Sequence, residues 1–316
     1  MRGRAGLLAL ALALTACGGE DDDGGSGGAA AAPADDRTVV ALDEFAAVAL
    51  LSLGVEPDLA LTVFDYESTG ALLADQGVAT QPYGAALDVE RVLAADPDVV
   101  VGVSIPTTLE VQDRLQQVAP TTVLDYASSW QDQLTAAAGA VGAQDRAAGV
   151  VAGLEARTRQ LRDDLAAAGR GGAVVSVLGD NPDLFSPPPD SPVGSLLAAA
   201  GLARPPAQQQ ASGGGSPFTL LSEELLPEQD GDEVLLLSGG PYATADLTGS
   251  RLWPGLPAVQ RGDVAEVSGE VWLSSSAFAV DWVLDDLRAV LLEEGAVAAA
   301  GDAAGRFRAF LDEQAG

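Results

Sequence analysis

Carboxylates are almost the only side chains in this 316-residue chain that could carry acid-base chemistry. There are 46 Asp and Glu residues, no histidine, and a single cysteine, Cys17. Without histidine, neither a Ser-His-Asp triad nor the His-rich sites typical of zinc enzymes can be assembled. One cysteine excludes an intramolecular disulfide and a cysteine metal cluster. No pair of carboxylates stands out as a general acid and base, so we expect no catalytic residue, no metal site and no cofactor.

The net charge narrows the possible partners. All 16 basic residues are arginines, and the formal net charge is -30. A strongly acidic surface repels phosphate backbones, so we do not expect a nucleic-acid partner. Acidity keeps an exported protein soluble, and it suits a cationic or neutral ligand better than a polyanion.

The N-terminus has the features of an export signal. Two arginines, Arg2 and Arg4, precede an apolar run over 7–14 that is too short to span a bilayer, and the run closes with "LTAC". This ending resembles the bacterial lipobox, in which the cysteine receives the lipid. We predict a lipoprotein signal peptide over 1–17, with Cys17 lipidated on the extracytoplasmic face of the cell membrane. A Gly-, Ala- and Asp-rich tether over 18–37 follows, with no residues for a core. An incidental cysteine after an ordinary secretory signal is the alternative.

Beyond the tether, short apolar strands alternate with helices, which predicts α/β architecture with largely parallel sheets. One long helix is predicted over 130–168, with no break before the glycines that follow it. We therefore expect an N-terminal α/β lobe over 38–128, a bridging helix over 129–169 and a C-terminal α/β lobe over 173–316. The strands are predicted at 38–42, 99–103, 121–124, 173–178 and 234–237, and the other helices at 44–53, 89–95, 193–200, 277–292 and 303–311.

A short internal similarity supports two related lobes. "LDVE" leads through a helix into "DVVV", and "LSEE" leads through two leucines into "EVLL". Each unit places a glutamate in a helix-opening turn ahead of an apolar strand, namely Glu90 and Glu224. Interaction with the helix dipole alone could account for both residues.

The order and spacing of several segments resemble the periplasmic-binding-protein family of iron-siderophore, haem and cobalamin importers. These segments are "TVVALDEFAAVALLSLGVEP", "LDVERVLAADPDVVVG", "QVAPTTVLDYASSW", "LSEELLPEQDGDEVLLLSGG" and "LPAVQRGDVAEVSGEVW". The resemblance implies two Rossmann-like lobes bridged by one long helix, with the ligand in the cleft between them. It also implies that the protein delivers its ligand to an ABC permease, which works with an ATPase. Glu90 and Glu224 are then expected to pair with arginines of the permease. Glu223 is an alternative to Glu224.

A ferric siderophore is the expected ligand, cobalamin or haem is the alternative, and a lipoprotein hydrolase using carboxylates is the alternative of another class. Residues in loops beyond strands, and aromatic residues in loops, are the candidates for the cleft, although each aromatic could equally pack in a core. Tyr83 and Trp272 are expected to line the cleft from opposite lobes. The ligand-binding candidates are Tyr83, Gly84, Ser104, Trp130, Phe185, Arg251, Trp253 and Trp272.

Replacing the predicted lipidation site tests the membrane anchor. Cys17→Ser should release the protein into the soluble exported fraction, because a serine cannot carry the thioether-linked lipid. Fractionation followed by immunoblotting would measure this. Unchanged processing and membrane association would contradict the assignment.

Overall fold

The computed structural model describes residues 37–84, 86–211 and 218–315. The predicted signal peptide, Cys17 and nearly all of the predicted tether lie outside these residues. In the described part of the chain, no helix is both long enough and apolar enough to cross a membrane.

The first lobe is built on a five-stranded parallel sheet in the order β3-β2-β1-β4-β5. The interior strand β4, between β1 and β5, reads VVVGV and is buried throughout, as expected for a parallel strand covered on both faces. Helices α1 to α4 connect the strands. The elements are β1 Val39–Ala41, α1 Glu44–Ser52, β2 Leu59–Thr62, α2 Glu67–Asp75, β3 Thr80–Pro82, α3 Val89–Ala94, β4 Val99–Val103, α4 Pro106–Leu115 and β5 Thr121–Leu124.

Two helices follow the first sheet, α5 Trp130–Val141 and α6 Gln144–Ala167. The prediction of one unbroken helix over 130–168 is therefore wrong. The break lies at Gly142, which has a φ of 76° and takes the left-handed conformation that commonly ends a helix. The long helix between the lobes is α6 alone, about 36 Å in length.

The second lobe contains a mixed five-stranded sheet in the order β10-β9-β6-β7-β8, in which β7 and β8 are antiparallel additions. Short segments of 3-10 helix occur in its connections. The elements are β6 Val175–Asp180, β7 Leu184–Ser186, α7 Pro192–Ala199, β8 Thr219–Leu220, β9 Glu233–Ser238, α8 Ala245–Gly249, α9 Pro257–Arg261, β10 Val264–Ser268, α10 Gly269–Trp272, α11 Ala277–Leu291 and α12 Ala303–Ala315. Two sheets joined by a long helix confirm the predicted α/β class.

The two lobes share one hydrophobic core. A single cluster of buried side chains runs from β1 and α1 through α5 and α6 to β6, β9, α11 and α12. The last two helices return to the first lobe, where α11 packs on α1 and α12 packs on α2. An ion pair between Arg308 and Asp75 joins α12 to α2. The lobes are therefore held together by packing as well as by α6.

A carboxylate of the second lobe caps a helix of the first. The first turn of α2 has no side-chain cap of its own. Glu270, which is 4% exposed, fills this role, because its Oε2 accepts from Ser68 N at 3.0 Å and from Ser68 Oγ at 2.8 Å. A carboxylate is stabilising at a helix N-terminus, so this contact favours one relative position of the lobes.

The helix break at Gly142 can be tested against a matched glycine. Gly142→Ala forces a side chain into the left-handed region, and we expect it to lower the free energy of unfolding by about 1–2 kcal/mol. Gly139→Ala, inside α5 and with open space around the new methyl group, should raise it by about 0.5–1 kcal/mol. Urea unfolding measures both. Equal effects of the two substitutions would contradict the role of Gly142.

Candidate functional site

The carboxyl end of β1 carries two consecutive buried carboxylates at the point where the strand order of the first sheet reverses. Asp43 Oδ1 accepts from Ala46 N and its Oδ2 accepts from Val103 N, both at 2.8 Å. Burial raises the pKa of Asp43 to about 7, although these backbone donors act in the opposite direction. Asp43 thus fixes the start of α1 against the end of β4, at the crevice where open α/β sheets bind ligands.

Glu44 holds the loop that follows β2. Its carboxylate accepts from Val63 N at 2.9 Å and from Phe64 N at 2.8 Å. Burial also raises the pKa of Glu44. The contact places Phe64, which is 45% exposed, at the edge of the first lobe.

Four rings of the first lobe meet at this edge. Phe45 lies 5.6 Å from Phe64, 6.4 Å from Tyr66 and 5.9 Å from Tyr126, measured between ring centroids. Phe64 and Tyr66 are stacked, with centroids 5.3 Å apart and planes 14° apart. Such offset and tilted contacts are the favourable geometries for aromatic pairs.

Tyr242 brings the second lobe to the same place. It follows β9, and burial and then the neighbouring Tyr242 raise the pKa of Tyr66. Burial and then Tyr242 raise the pKa of Tyr126 to about 12. Phe185 lies beneath, 6.0 Å from Tyr242 and 4.3 Å from Phe218. We call the surface formed by Phe45, Phe64, Tyr66, Tyr126, Phe218 and Tyr242 the aromatic cleft.

A separate side pocket of about 430 Å³ lies where α6 passes between the lobes. Trp130, Arg159, Arg162, Glu155 and Asp190 are among the residues that line it, so acidic and basic side chains are balanced there. In the described residues, no group of three or more Asp, Glu or Cys side chains is arranged to hold a metal ion.

Three of the predicted site residues lie at the carboxyl ends of first-lobe strands. Ser104 is half-buried, and its Oγ accepts from Tyr126 N at 2.9 Å, so it positions a ring of the aromatic cleft. Gly84 is exposed, and a methyl group added at its Cα would contact no other part of the described chain. Tyr83 is 7% exposed and packs with α3 and α4 in a different core cluster, where its hydroxyl lies 3.3 Å from Thr107 Oγ1.

The predicted aromatic residues are mostly packing residues. Trp272 is 1% exposed, and its Nε1 donates to the buried Asp286 at 2.8 Å, so the expectation that it lines the cleft is wrong. Trp253 is 8% exposed and belongs to the cluster beneath α8 and α9, apart from the cleft rings. Phe185 supports Tyr242 but is only 1% exposed. Trp130 lines the side pocket.

Arg251 does not join the cleft rings either. It is exposed in the turn after α8, next to Ser250, whose Oγ donates to Glu223 at 2.7 Å. This turn lies on the side of the second sheet that carries Trp253.

Comparison with known proteins identifies the architecture. A family model described as periplasmic binding protein matches residues 39–270. The chain belongs to this family. The match begins at β1 and ends in α10, so it includes the carboxyl ends of both sheets and the rings between them.

Individual relatives agree with this family membership. The chain is 25% identical over 281 residues to a probable siderophore-binding lipoprotein, YfiY, of Bacillus subtilis, covering 83% of this chain and 84% of that protein. The fold is similar to that of SirA from Staphylococcus aureus, with a TM-score of 0.70 and 21% identity over 82% of this chain and all of that one. FhuD2 from Staphylococcus aureus with bound ferrioxamine B gives a TM-score of 0.68 and 22% identity, covering 81% and 98% of the two chains.

The cleft rings were missed from the sequence although a signal for two of them was present. Only one aspartate separates Tyr126 from the end of the predicted strand 121–124. The sequence Ser-Gly-Gly-Pro separates Tyr242 from the end of the predicted strand 234–237. Ligands of open α/β sheets bind beyond the carboxyl ends of strands. Tyr126 and Tyr242 were therefore better ligand-binding candidates than Trp253 and Trp272.

Glu44→Gln tests whether the buried carboxylate shapes the cleft. A glutamine amide has one acceptor oxygen, so one of the backbone donors at Val63 and Phe64 loses its partner, and we expect a loss of about 1–3 kcal/mol in unfolding free energy. Hydrogen exchange of the amides over 62–66 should become faster. Glu56→Gln, an exposed position in the same lobe, is the control and should change neither quantity. Unchanged exchange in Glu44→Gln would contradict the assigned role.

Proposed function

We propose that this chain is the extracytoplasmic binding protein of an ABC importer, anchored through a lipid on Cys17, and that it captures a ferric siderophore. Membership of the periplasmic binding protein family carries the binding function. The name of the Bacillus subtilis relative, a siderophore-binding lipoprotein, supports the ligand class and the anchor.

The aromatic cleft is the proposed ligand site. Its rings come from both lobes and meet at the carboxyl ends of the two sheets, and Phe64 and Tyr66 are accessible at its edge. Rings in a concave site bind the apolar and polarisable parts of a chelate and bury large areas. Ser104 contributes by holding Tyr126, and Phe185 by supporting Tyr242.

Siderophore capture is favoured over cobalamin or haem binding because the Bacillus subtilis relative is named as siderophore-binding and the FhuD2 structure has ferrioxamine B bound. A carboxylate hydrolase is disfavoured because the family consists of binding proteins. The buried carboxylates at the cleft, Asp43 and Glu44, accept backbone hydrogen bonds and have a structural role.

The two glutamates expected at the permease interface have the required exposure. Glu90 lies in the first turn of α3, and Glu224 lies in the 3-10 segment Glu223–Gln229. Both are exposed, and in the described residues neither carboxylate makes a hydrogen bond or an ion pair. Glu223 instead accepts from Ser250. This difference favours Glu224 over Glu223 as the second docking residue.

Charge reversal at both positions tests the transport role. Glu90→Arg combined with Glu224→Arg should abolish siderophore uptake in cells that lack the native protein, because like charges at an interface cost several kcal/mol. Ligand affinity and stability of the purified variant should stay near those of the wild type. Glu110→Arg combined with Glu228→Arg reverses two other exposed glutamates and is the matched control.

Normal uptake by the first double variant would contradict the docking assignment. Loss of ligand binding in that variant would place the two glutamates in the site or in the fold instead. If the control variant also loses uptake, net charge rather than position determines docking.

A further inference from the structure

We infer that Glu270 is the positioning residue of the aromatic cleft, because its buried carboxylate contacts both of the segments that carry Tyr66 and Tyr242. The inference deepens the proposed function and rests on it, since the cleft is the proposed ligand site. Tyr66 precedes α2 in the first lobe, and Tyr242 follows β9 in the second. Glu270 therefore fixes two walls of the site relative to each other before a ligand binds.

The register of the second sheet places Glu270 beside the turn that carries Tyr242. Ser268 at the end of β10 pairs with Ser238 at the end of β9, so the first residues of α10 lie next to the turn that follows β9. This turn is closed by a hydrogen bond from Tyr242 N to Gly239 O at 3.1 Å. Because the turn is short and closed, the position of its backbone determines where the ring at its end lies.

Two glycines show how closely these parts of the second lobe meet. Gly240 has a φ of 56°, and a methyl group at its Cα would collide with the carboxylate of Glu270. A methyl group at the Cα of Gly269 would collide with the ring of Tyr242. The carboxylate therefore lies directly against the backbone of the turn, and the ring lies directly against the residue before Glu270.

The same carboxylate faces the first turn of α2, which begins directly after Tyr66. Besides the two hydrogen bonds that its Oε2 accepts from Ser68, its Oε1 lies 3.4 Å from Glu67 N. Ser68 is 3% exposed, so these bonds are formed away from water. Separating a buried carboxylate from such donors leaves both sides without partners, which opposes any displacement of α2 relative to α10.

Other contacts between the lobes do not reach the two ring-carrying segments. Gln133 Nε2 donates to Ser275 Oγ at 2.8 Å and joins α5 to the turn after α10. The ion pair of Arg308 with Asp75 lies at the last residue of α2, about 12 Å along the helix axis from its first residue. Asp75 is therefore a matched control for Glu270, because both are carboxylates that join α2 to the second lobe.

The tyrosines of the chain allow the ring positions to be measured without a ligand. There are four, Tyr66, Tyr83, Tyr126 and Tyr242, and Tyr83 packs in a different core cluster from the others. The exported Cys17→Ser protein labelled with fluorotyrosine should therefore give four fluorine NMR resonances. Single Tyr→Phe variants assign them, and the resonance of Tyr83 is the internal reference.

Substitutions of the carboxylate should move the two ring resonances together. Glu270→Ala removes the acceptor, and we expect the resonances of Tyr66 and Tyr242 to shift or broaden while that of Tyr83 stays in place. Glu270→Gln keeps one acceptor oxygen for Ser68, so it should return both resonances part of the way to their wild-type positions. Asp75→Asn should leave all four resonances unchanged.

Ser68→Ala separates positioning from a local effect of the lost charge. Ser68 belongs to the first lobe, so we expect its substitution to move the Tyr242 resonance only through Glu270. In the Glu270→Ala background, Ser68→Ala should move that resonance no further, because residues that act through one shared contact have non-additive effects. If Glu270→Ala does not fold, Ser68→Ala in the otherwise wild-type chain decides the question.

Titration with ferric ferrioxamine B, a ferric tris-catecholate and ferric citrate measures the effect on the proposed site. A site that is assembled in only a fraction of the molecules binds more weakly in proportion, so affinity for the chelate that the wild type binds should fall about threefold to tenfold in Glu270→Ala. Asp75→Asn should bind as the wild type does.

Unchanged resonances of Tyr66 and Tyr242 in Glu270→Ala, or equal shifts in Asp75→Asn, would overturn the inference. So would a Tyr242 resonance that does not respond to Ser68→Ala, or wild-type affinity in Glu270→Ala. If the wild type binds none of the three chelates, the proposed siderophore function fails, and the spectra of the ligand-free protein still decide whether Glu270 positions the rings.

Discussion

Two consecutive buried carboxylates, Asp43 and Glu44, hold the first lobe in the shape that the cleft requires. Together they accept hydrogen bonds from four backbone amides, which belong to α1, to the end of β4 and to the loop after β2. A carboxylate has two acceptor oxygens, and in both residues each oxygen accepts from one backbone donor. The rings of Phe45 and Phe64 are set by these bonds, and Tyr66 and Tyr126 pack on them.

The relation between the lobes is fixed by a different set of contacts. One hydrophobic cluster crosses the boundary, and Glu270 serves as a cap for α2 only when the lobes are together. The aromatic cleft is therefore largely formed before a ligand arrives. Such preorganisation lowers the entropic cost of binding, and it leaves only small opening and closing motions for release.

The sequence predicted the strands far better than the side-chain environment of the site. β4 and β5 were predicted to the residue because β-branched runs bounded by Pro or polar residues have few alternatives. The break after α5 was missed because a glycine within an amphipathic helix pattern is usually tolerated, and only the backbone angle of Gly142 reveals its role. Trp253 and Trp272 were predicted to bind the ligand because they are rare aromatic residues in predicted loops. The rarity of a residue does not determine which face of a sheet its ring occupies. Burial and hydrogen bonding, which depend on tertiary packing, decided both positions.

The return of α11 and α12 to the first lobe means that position along the chain and position in space do not coincide. The C-terminal helix rests on α2, which lies more than two hundred residues earlier in the sequence. A single backbone cut in the turn between α6 and β6 would leave two fragments still joined by a continuous core, and they would have to be denatured to come apart. The lobes thus constitute one cooperative folding unit, and neither is expected to persist as an autonomous domain.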